Sequence, residues 1–400
     1  MPSASSMARI SVVCIALAMW AEPPAAAQTA AELFDASQLQ EVRLFINARD
    51  LAELSATYLQ NSFYPADLQW KGTTARNAAV RSRGGGSRNP SKLGLLVDFN
   101  HYVGGQTFAG RKAIVLDNLW QDPSMIRERV AMALFARVGV AAPLESFCRL
   151  YINNEYVGVY ALVENIDQAF LARAFGESAG YLYEYHWLAP FYLQDLGDDL
   201  AAYAPLFEPR THESEPASSL YGPIRETIRA INQASDALWR AEVERHLDLA
   251  QVLTAVAVET FLSEHDGLLG YAGVNNLYLY RPDGATQHRV VPWDRDNAFE
   301  NADSSIFGRA EENALIRRAL SFPDLLAMYL DALERTARAA ADGNWLENEL
   351  RASAAITLEA AADDPNTPYA AQAQQEAVAQ LIDFARRRPG IVLQQIAAAR

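Results

Sequence analysis

Cysteine is scarce in this sequence, because the 400 residues contain only Cys14 and Cys148. Cys14 lies in an apolar run near the N-terminus that we expect to be removed, which leaves one cysteine in the mature chain. A single cysteine cannot form an internal disulfide, so a small disulfide-stapled fold is excluded. With 50% hydrophobic residues, a chain of this length can bury one large core or two smaller ones, and one or two domains are expected.

Positive charge is also in deficit. The 34 Lys and Arg residues are outnumbered by 49 Asp and Glu residues, which gives a formal net charge of -15 at pH 7. A surface of this sign repels the phosphates of nucleic acids, and no basic stripe offsets it. No nucleic-acid partner is therefore expected.

Long apolar runs are missing except at the N-terminus. There Arg9 precedes an apolar run from Ile10 to Trp20, and small residues follow up to Ala27. This arrangement predicts a signal peptide over residues 1–27, with a mature chain that begins near Gln28. The run is too short to anchor the chain, and no later segment reaches the length of a membrane span. We therefore expect a secreted or periplasmic protein without stable membrane insertion.

The most informative stretch runs from His265 to Phe299. It contains Asp266, the amide pair Asn275-Asn276, an alternating run "NLYLY", and "RVVPWDRDNAF" with Asp294 and Asp296. A strong turn signal, Pro282-Asp283-Gly284, separates two strand-like segments, so the segments are predicted to pair as a hairpin. The hairpin would place Asn276 and Asp294 at the same end.

These side chains suit phosphoryl transfer. Carboxylate and carboxamide oxygens are ligands for a hard cation such as Mg²⁺, and the candidate metal ligands are Asn276, Asp294 and Asp296. Asp266 would be free to accept a proton from an incoming hydroxyl group. Two alternatives remain open: the acids cap turns and stay solvated, or they bind Ca²⁺ for structural reasons only.

A glycine-rich stretch, "VRSRGGGSRNPSKLGLLVDF", extends from Val80 to Phe99. Its glycines can bring backbone N–H groups close to an anion, and Lys92 is predicted to lie on the strand that follows. The stretch is not a Walker loop, because no lysine follows the last glycine directly. An alternative is a glycine hairpin with a surface lysine. The residues considered for phosphate binding are Gly84, Gly85, Gly86 and the nearby arginines Arg81, Arg83 and Arg88.

A helix is predicted from Asp122, as its N-cap, to a stop before Gly139. Glu128 on this helix either points inward, where it needs a cation such as Lys92, or lies solvated on an exposed face. Further on, two strands joined at Asn153-Asn154 are predicted to end at Glu164.

The second half of the chain is predicted to be mainly helical. A lobe boundary is expected at residues 164–167, followed by an irregular connection over residues 181–223. A hydrophobic helix over residues 247–264 then leads to His265, and residues 311–400 are Ala-rich with helical spacing and a break at Asp364-Pro365-Asn366.

Four of these motifs, in this order, closely resemble the spore coat protein H (CotH) family of secreted atypical protein kinases. They are "VRSRGGGSRNPSK", "LDNLWQDPSMIRERVAMALFARVGV", "RLYINNEYVGVYALVENID" and "NNLYLYRPDGATQHRVVPWDRDNAF". The resemblance implies an α+β, kinase-like fold with two lobes, a strand-rich N-lobe over residues 28–164 and a helical C-lobe over residues 165–400.

The resemblance also implies roles for single residues. Lys92 would contact the ATP phosphates and Glu128 would hold it, while Asp266 would be the catalytic acid-base residue. Asn276 and Asp294 would bind the metal, and Glu164 would lie near the adenine. The chain departs from the ordinary kinase loop, in which the Asn follows the Asp by five residues; here Asn275 and Asn276 follow Asp266 by nine and ten. The choice between Asn275 and Asn276, and between Asp294 and Asp296, stays open.

The sequence therefore predicts a protein kinase that depends on ATP and Mg²⁺ and phosphorylates Ser or Thr of secreted or envelope proteins. Two other functions remain open: a non-catalytic surface adhesin or coat protein that keeps the fold, and a structural Ca²⁺-binding envelope protein.

Overall fold

The computed structural model describes residues 28–400, so the predicted signal peptide and Cys14 lie outside the described residues. Strands dominate the first part of the chain and helices the last part, which confirms the predicted α+β class. Within residues 28–400, no helix has both the length and the apolar character that crossing a bilayer requires.

Seven strands form a closed barrel in the first part of the chain, in the order β1-β2-β3-β4-β5-β7-β6. They are β1 (Leu39–Ile46), β2 (Tyr64–Trp70), β3 (Thr73–Ser82), β4 (Leu95–Asp98), β5 (Ala113–Asp117), β6 (Glu145–Ile152) and β7 (Glu155–Glu164). Strands β1 and β6 run parallel, whereas the other neighbours are antiparallel. Alternate residues point inward, so that side chains such as Val42, Leu44, Trp70 and Leu150 fill the barrel.

The β6–β7 hairpin follows its sequence signal. The two turn residues, Asn153 and Asn154, have φ of 51° and 69°, the left-handed conformation that a two-residue turn requires and that Asn tolerates. The predicted strand pair that ends at Glu164 is therefore confirmed.

Three helices accompany the barrel: α1 (Ala30–Leu33), α2 (Ala48–Ala56) and α3 (Arg127–Arg137). Helix α3 begins four residues later than predicted, because its N-cap is Ile126 and not Asp122. The carboxylate of Asp122 accepts hydrogen bonds from the Ser124 N–H, the Ser124 hydroxyl and the Arg127 N–H, so it closes a turn ahead of the helix instead of capping the helix. The end of the helix is as predicted, with Gly139 just beyond it at φ 86°.

A four-stranded sheet with the order β11-β10-β8-β9 follows the barrel. Its strands are β8 (Tyr181–Tyr185), β9 (Phe207–Pro209), β10 (Leu277–Arg281) and β11 (Arg289–Pro292). The predicted hairpin is confirmed, because β10 pairs with β11 and Leu277 lies opposite Pro292. The prediction that residues 181–223 form an irregular connection is wrong, since this segment contributes β8, β9 and the start of a helix.

Eight helices complete the described chain. They are α4 (Gln168–Phe175), α5 (Ala217–Gln233), α6 (Trp239–Glu244), α7 (Leu249–Leu262), α8 (Ala314–Leu320), α9 (Pro323–Ala341), α10 (Trp345–Ala362) and α11 (Ala371–Ala399). Helix α7 is buried along almost its whole length and leads directly to the segment that carries Asp266. Helices α9 and α11 pack beside it, whereas α10 packs against α3 and β7 of the barrel.

A hydrophobic cluster joins the outer face of the barrel to the four-stranded sheet. It includes Val115 and Val163 from the barrel, and Leu182, Tyr278 and Val291 from the sheet. The two parts of the protein are therefore packed against each other on this side, and the open cleft lies beyond the cluster, next to the glycine-rich loop.

Candidate functional site

A cleft of about 530 Å³ lies between the glycine-rich loop, the β8–β9 edge of the sheet and the open end of the β10–β11 hairpin. Most of the residues that the sequence suggested for the site line this cleft: Arg83, Gly84, Gly85, Gly86, Asp266, Asn275, Asn276, Asp294 and Asp296. Lys92, Glu128 and Glu164 are not among the lining residues.

Asp266 is held by both candidate amides. Asn275 Nδ2 donates to the two carboxylate oxygens at 3.1 and 3.2 Å, and Asn276 Nδ2 donates to Oδ2 at 3.0 Å. The Asp266 N–H in turn donates to Glu264 Oε1 at 2.8 Å. The carboxylate is therefore fixed in direction, as a residue that receives a proton in a defined position must be.

Asn276 and Asp294 flank the same end of the β10–β11 hairpin, as predicted from the turn signal. The Trp293 N–H donates to the Asn276 carbonyl at 3.1 Å, which ties the two chain segments together. Both residues have left-handed backbone conformations, with φ of 53° and 51°. Conformations that are unfavourable for side-chain-bearing residues are typical of functional sites, where the surrounding structure holds them in place.

Half-buried acids lie close together at the floor of the cleft. Burial, together with the nearby charges of Asp117 and Asp266, raises the pKa of Asp294 to about 6. Burial and the neighbouring Asp294 also raise the pKa of Asp296 well above its ordinary value. Carboxylates in this situation repel one another unless a cation joins them. The floor therefore favours a bound cation.

The glycine-rich loop supplies the positive side of the cleft. Arg88 is fully used in holding the loop, because it donates to the carbonyls of Gly84, Tyr58 and Gln60 and to the Asn61 side chain. The Arg83 side chain makes no hydrogen bond or ion pair with any described residue, whereas the Arg83 backbone N–H donates to the Gly94 carbonyl at 2.8 Å. Its guanidinium lies 4.7 Å from the ring centre of Trp293, the residue next to Asp294.

Lys92 and Glu128 do not form the predicted pair. Lys92 lies in a bend ahead of β4, is 1% exposed, and its Nζ donates to Asp364 Oδ2 at 2.7 Å inside the barrel. Burial lowers the pKa of Lys92, and the attraction of Asp364 opposes this effect. The prediction that Lys92 reaches nucleotide phosphates is therefore corrected: the side chain stands behind the loop and outside the cleft.

Glu128 points inward, as one of the two alternatives held, but without a cation. No Lys, Arg or His nitrogen of residues 28–400 lies within ion-pair distance of it. Burial, followed by the neighbouring carboxyl of Glu145 and then Asp294, raises the pKa of Glu128 well above its ordinary value. Glu145 is buried as well, and neither of its carboxyl oxygens has a hydrogen-bond partner in the described part of the chain.

Glu164 ends β7, but its carboxylate is fully engaged away from the cleft. It forms ion pairs with Arg111 at 3.0 Å and Arg173 at 2.5 Å, and it accepts the Leu144 N–H at 3.0 Å. These partners occupy the carboxylate and tie β7 to α4. That Glu164 lies near the adenine stays a prediction.

Strands β8 and β9 bring residues into the cleft that the sequence did not suggest: Glu184, His186, Glu208 and Arg210. His186 Nε2 lies 2.6 Å from Glu208 Oε2, and Arg210 lies 3.2 Å from the other oxygen of Glu208. The run "YLYEY" around Glu184 is rich in tyrosine, a residue that is frequent in strands, and this strand signal could have been found in the sequence.

Three comparisons relate the chain to known proteins. The family described as "CotH kinase protein" matches residues 80–392. The chain is 25% identical over 324 residues to the inner spore coat protein H of Bacillus subtilis (strain 168), which covers 79% of this chain and 86% of that protein. An inner spore coat protein H-like protein of the same organism is 33% identical over 64 residues, 16% of this chain and 21% of that one.

A solved structure, the Helicobacter pylori proinflammatory kinase CtkA, is similar over 76% of this chain and 94% of its own, with a TM-score of 0.35 and 11% sequence identity.

Proposed function

The chain belongs to the CotH kinase family, and from this premise we propose that its cleft transfers the γ-phosphoryl group of ATP to a Ser or Thr hydroxyl of a protein, with the help of Mg²⁺. We further propose that the protein acts outside the cytoplasm, because of the predicted signal peptide. The acceptor would accordingly be a secreted or envelope protein.

One observation carries the proposal: the two walls of the cleft have opposite charge and neither is neutralised. On one wall, the unpaired Arg83 lies beside three glycines whose N–H groups donate to no described residue. On the other wall, Asp294 and Asp296 are half-buried close to each other, and the pKa values of both are raised. A polyphosphate with a divalent cation has the charge pattern that would neutralise both walls.

The donor set fits Mg²⁺ and nucleotide phosphates. Asn276 and Asp294 offer hard oxygen ligands at fixed positions, and Asp296 provides a further carboxylate. Held by these residues, Mg²⁺ would supply positive charge against the negative charge that develops on the transferred phosphoryl group. Arg83 and the amides of Gly84, Gly85 and Gly86 would hold the phosphates on the opposite side.

The residues of the chain then have distinct tasks. Asp266 accepts the proton of the attacking hydroxyl group, and Asn275 and Asn276 hold its carboxylate in the orientation that this transfer requires. Asp294 and Arg83 orient the phosphoryl donor from opposite walls. The hydrophobic cluster between the barrel and the four-stranded sheet holds the two walls in fixed positions relative to each other.

The test is a thermal-shift measurement combined with labelled-phosphate transfer, on the protein without its signal peptide. ATP with Mg²⁺ should raise the melting temperature more than either alone, and label should appear on Ser or Thr of an acceptor protein. Stabilisation by Ca²⁺ alone, without an ATP effect, would favour the structural Ca²⁺ reading. If neither ATP with Mg²⁺ nor Ca²⁺ raises the melting temperature, the result would favour a non-catalytic adhesin or coat protein.

A further inference from the structure

The strongest unassigned feature is a buried ion pair beneath the cleft, between Glu259 near the end of α7 and Arg295. Arg295 Nη2 lies 2.5 Å from Glu259 Oε1, and the two side chains are 0% and 2% exposed. Arg295 stands between Asp294 and Asp296, the two candidate metal ligands, but points away from the cleft, since it does not line it.

Each partner also holds backbone of a segment that carries a site residue. Arg295 Nη1 donates to the carbonyl of Asn276 at 2.8 Å and to the carbonyl of Trp293 at 2.9 Å. Glu259 Oε2 accepts the N–H of Leu268 at 2.8 Å, two residues after Asp266. Four contacts therefore connect the segments that bear Asp266, Asn276 and Asp294 to one helix end.

Gly267 shows how closely the carboxylate approaches this loop. A Cβ atom added at Gly267 would lie 2.7 Å from the Glu259 carboxylate, so any side chain at this position would push the pair and the loop apart. The residue that follows Asp266 is thus limited to glycine by the ion pair below it.

We infer that Glu259 and Arg295 are positioning residues, which set the distance between the proton-accepting Asp266 and the metal-binding Asn276 and Asp294. The inference rests on the proposed function for what the positioned residues do. Desolvation makes a buried ion pair a weak source of stability, and two apolar side chains of similar size can be as stable. A planar guanidinium, however, can donate to two carbonyls and a carboxylate at once, which an apolar side chain cannot.

The positive φ angles of Asn276 and Asp294 explain why the Glu259–Arg295 ion pair is needed at this position. A left-handed residue persists only where its surroundings hold it. Arg295 holds the Asn276 carbonyl directly and the Trp293 carbonyl immediately before Asp294. Without the guanidinium, both residues are expected to relax toward ordinary backbone conformations and to move their oxygens away from the metal position.

The first measurement needs no ligand. Hydrogen exchange of the free protein should quicken in the segments 264–277 and 289–298 when Arg295 is changed to Met, because the Leu268 and Trp293 amides lose their fixed surroundings. If Arg295→Met does not fold, Arg295→Lys replaces it in this measurement. Lysine keeps the positive charge but lacks the planar guanidinium that donates to several acceptors at once. Unchanged exchange in both segments would overturn the inference, whatever the nucleotide does.

The second measurement concerns the metal. The Mg²⁺ concentration for half-maximal nucleotide binding, measured by calorimetry, should rise about 10- to 100-fold in the Arg295 variants, and excess Mg²⁺ should restore binding. Arg111→Met is the matched control, since it also removes a guanidinium from a buried glutamate, Glu164, outside the cleft. It should lower stability without moving the Mg²⁺ midpoint.

The two measurements separate the two ideas. If the wild type binds no nucleotide at any Mg²⁺ concentration, but hydrogen exchange in the two segments quickens in Arg295→Met, the proposed function is contradicted. The positioning role of Glu259 and Arg295 is then still supported. A wild type with a clear Mg²⁺ midpoint that is the same in the Arg295 and Arg111 variants contradicts the positioning role alone.

Discussion

Lys92 reaches Asp364, a residue 272 positions later in the chain, and donates to its carboxylate at 2.7 Å in the interior of the barrel. Asp364 lies in the link between α10 and α11, where it also accepts the Val159 N–H from β7 and the Asn366 N–H from its own segment. A lysine from the glycine-rich region thus anchors the C-terminal helices to the barrel. Under the proposed function, a cation other than Lys92 would bind the phosphates of the nucleotide.

Lys92→Met should lower the free energy of unfolding by about 3–5 kcal/mol, because it leaves the Asp364 carboxylate buried without a cation. Urea denaturation measures this loss, and the double variant with Asp364→Asn should recover part of it. Affinity for Mg²⁺-ATP should match the wild type as long as the variant is folded. Loss of nucleotide binding in a folded Lys92→Met protein would return the phosphate role to this lysine.

Arg83→Ala should weaken Mg²⁺-ATP binding about 10- to 100-fold, the effect of removing one or two charge-assisted hydrogen bonds to phosphate. Stability without ligand should change little, since the Arg83 side chain makes no hydrogen bond or ion pair with the described residues and the substitution keeps its backbone hydrogen bond to Gly94. Calorimetric titration gives the affinity. Arg76→Ala is the control for charge, because Arg76 is 78% exposed and pairs only with Asp67 on the surface. Equal losses in both variants would mean that general charge, and not Arg83, attracts the nucleotide.

Substitutions of Asp266 and Asp294 should affect nucleotide binding and phosphate transfer differently. Asp294→Ala removes a charged oxygen ligand, so the stabilisation by Mg²⁺-ATP and the transfer of phosphate should vanish together. Asp266→Asn keeps the shape but cannot accept a proton, so Mg²⁺-ATP should still raise the melting temperature while transfer falls by about two to four orders of magnitude. The reverse pattern in thermal shift and labelled-phosphate transfer would exchange the two roles.

Stability without metal should depend on pH through Asp294. Its pKa is raised to about 6 from an ordinary value of 3.8, so the folded state binds this proton more tightly than the unfolded state does. The resulting stabilisation is complete below about pH 3.8 and is lost as the pH rises through about 6. Asp294→Asn should therefore raise the melting temperature at pH 8 in the presence of a chelator, and less so at pH 5.

Calorimetry of both proteins at the two pH values checks this expectation. Asp283→Asn is a suitable control, since Asp283 is exposed at the opposite end of the same hairpin. Added Mg²⁺ should stabilise the wild type more at pH 8 than at pH 5, because a metal ligand must be ionised. A variant whose melting temperature differs from the wild type by the same amount at both pH values would contradict the raised pKa.

Signals that act over a few residues predicted the fold correctly. Alternating apolar residues and the Pro282-Asp283-Gly284 turn were sufficient for the β10–β11 hairpin, and Asn153-Asn154 for the β6–β7 turn. The same hairpin logic brought Asn276 and Asp294 to one end. Helix α3 was misplaced at its start because Asp122 caps a turn as readily as a helix.

Partners that are far apart in sequence could not be predicted in this way. No local pattern joins Lys92 to Asp364, and the side of the loop on which a lysine head emerges depends on the register of a single residue. The ion pairs of Glu164 could not be predicted for the same reason, since its partners Arg111 and Arg173 come from different parts of the chain. The prediction relied on the kinase-like motif for both residues, and the motif does not determine which charges are paired.

The reach of Asp364 into the barrel has a consequence for how the protein is made. The ribosome makes the N-terminal part of the chain first, and the last barrel strand ends at Glu164. The buried amine of Lys92 nevertheless pairs with a carboxylate 272 positions later in the chain. The Tyr156 hydroxyl of β7 donates to the Ala360 carbonyl of α10, and the Val157 carbonyl accepts a hydrogen bond from Asn366 in the link after α10. The barrel therefore cannot form its full set of interior contacts until the link after α10 has been synthesised.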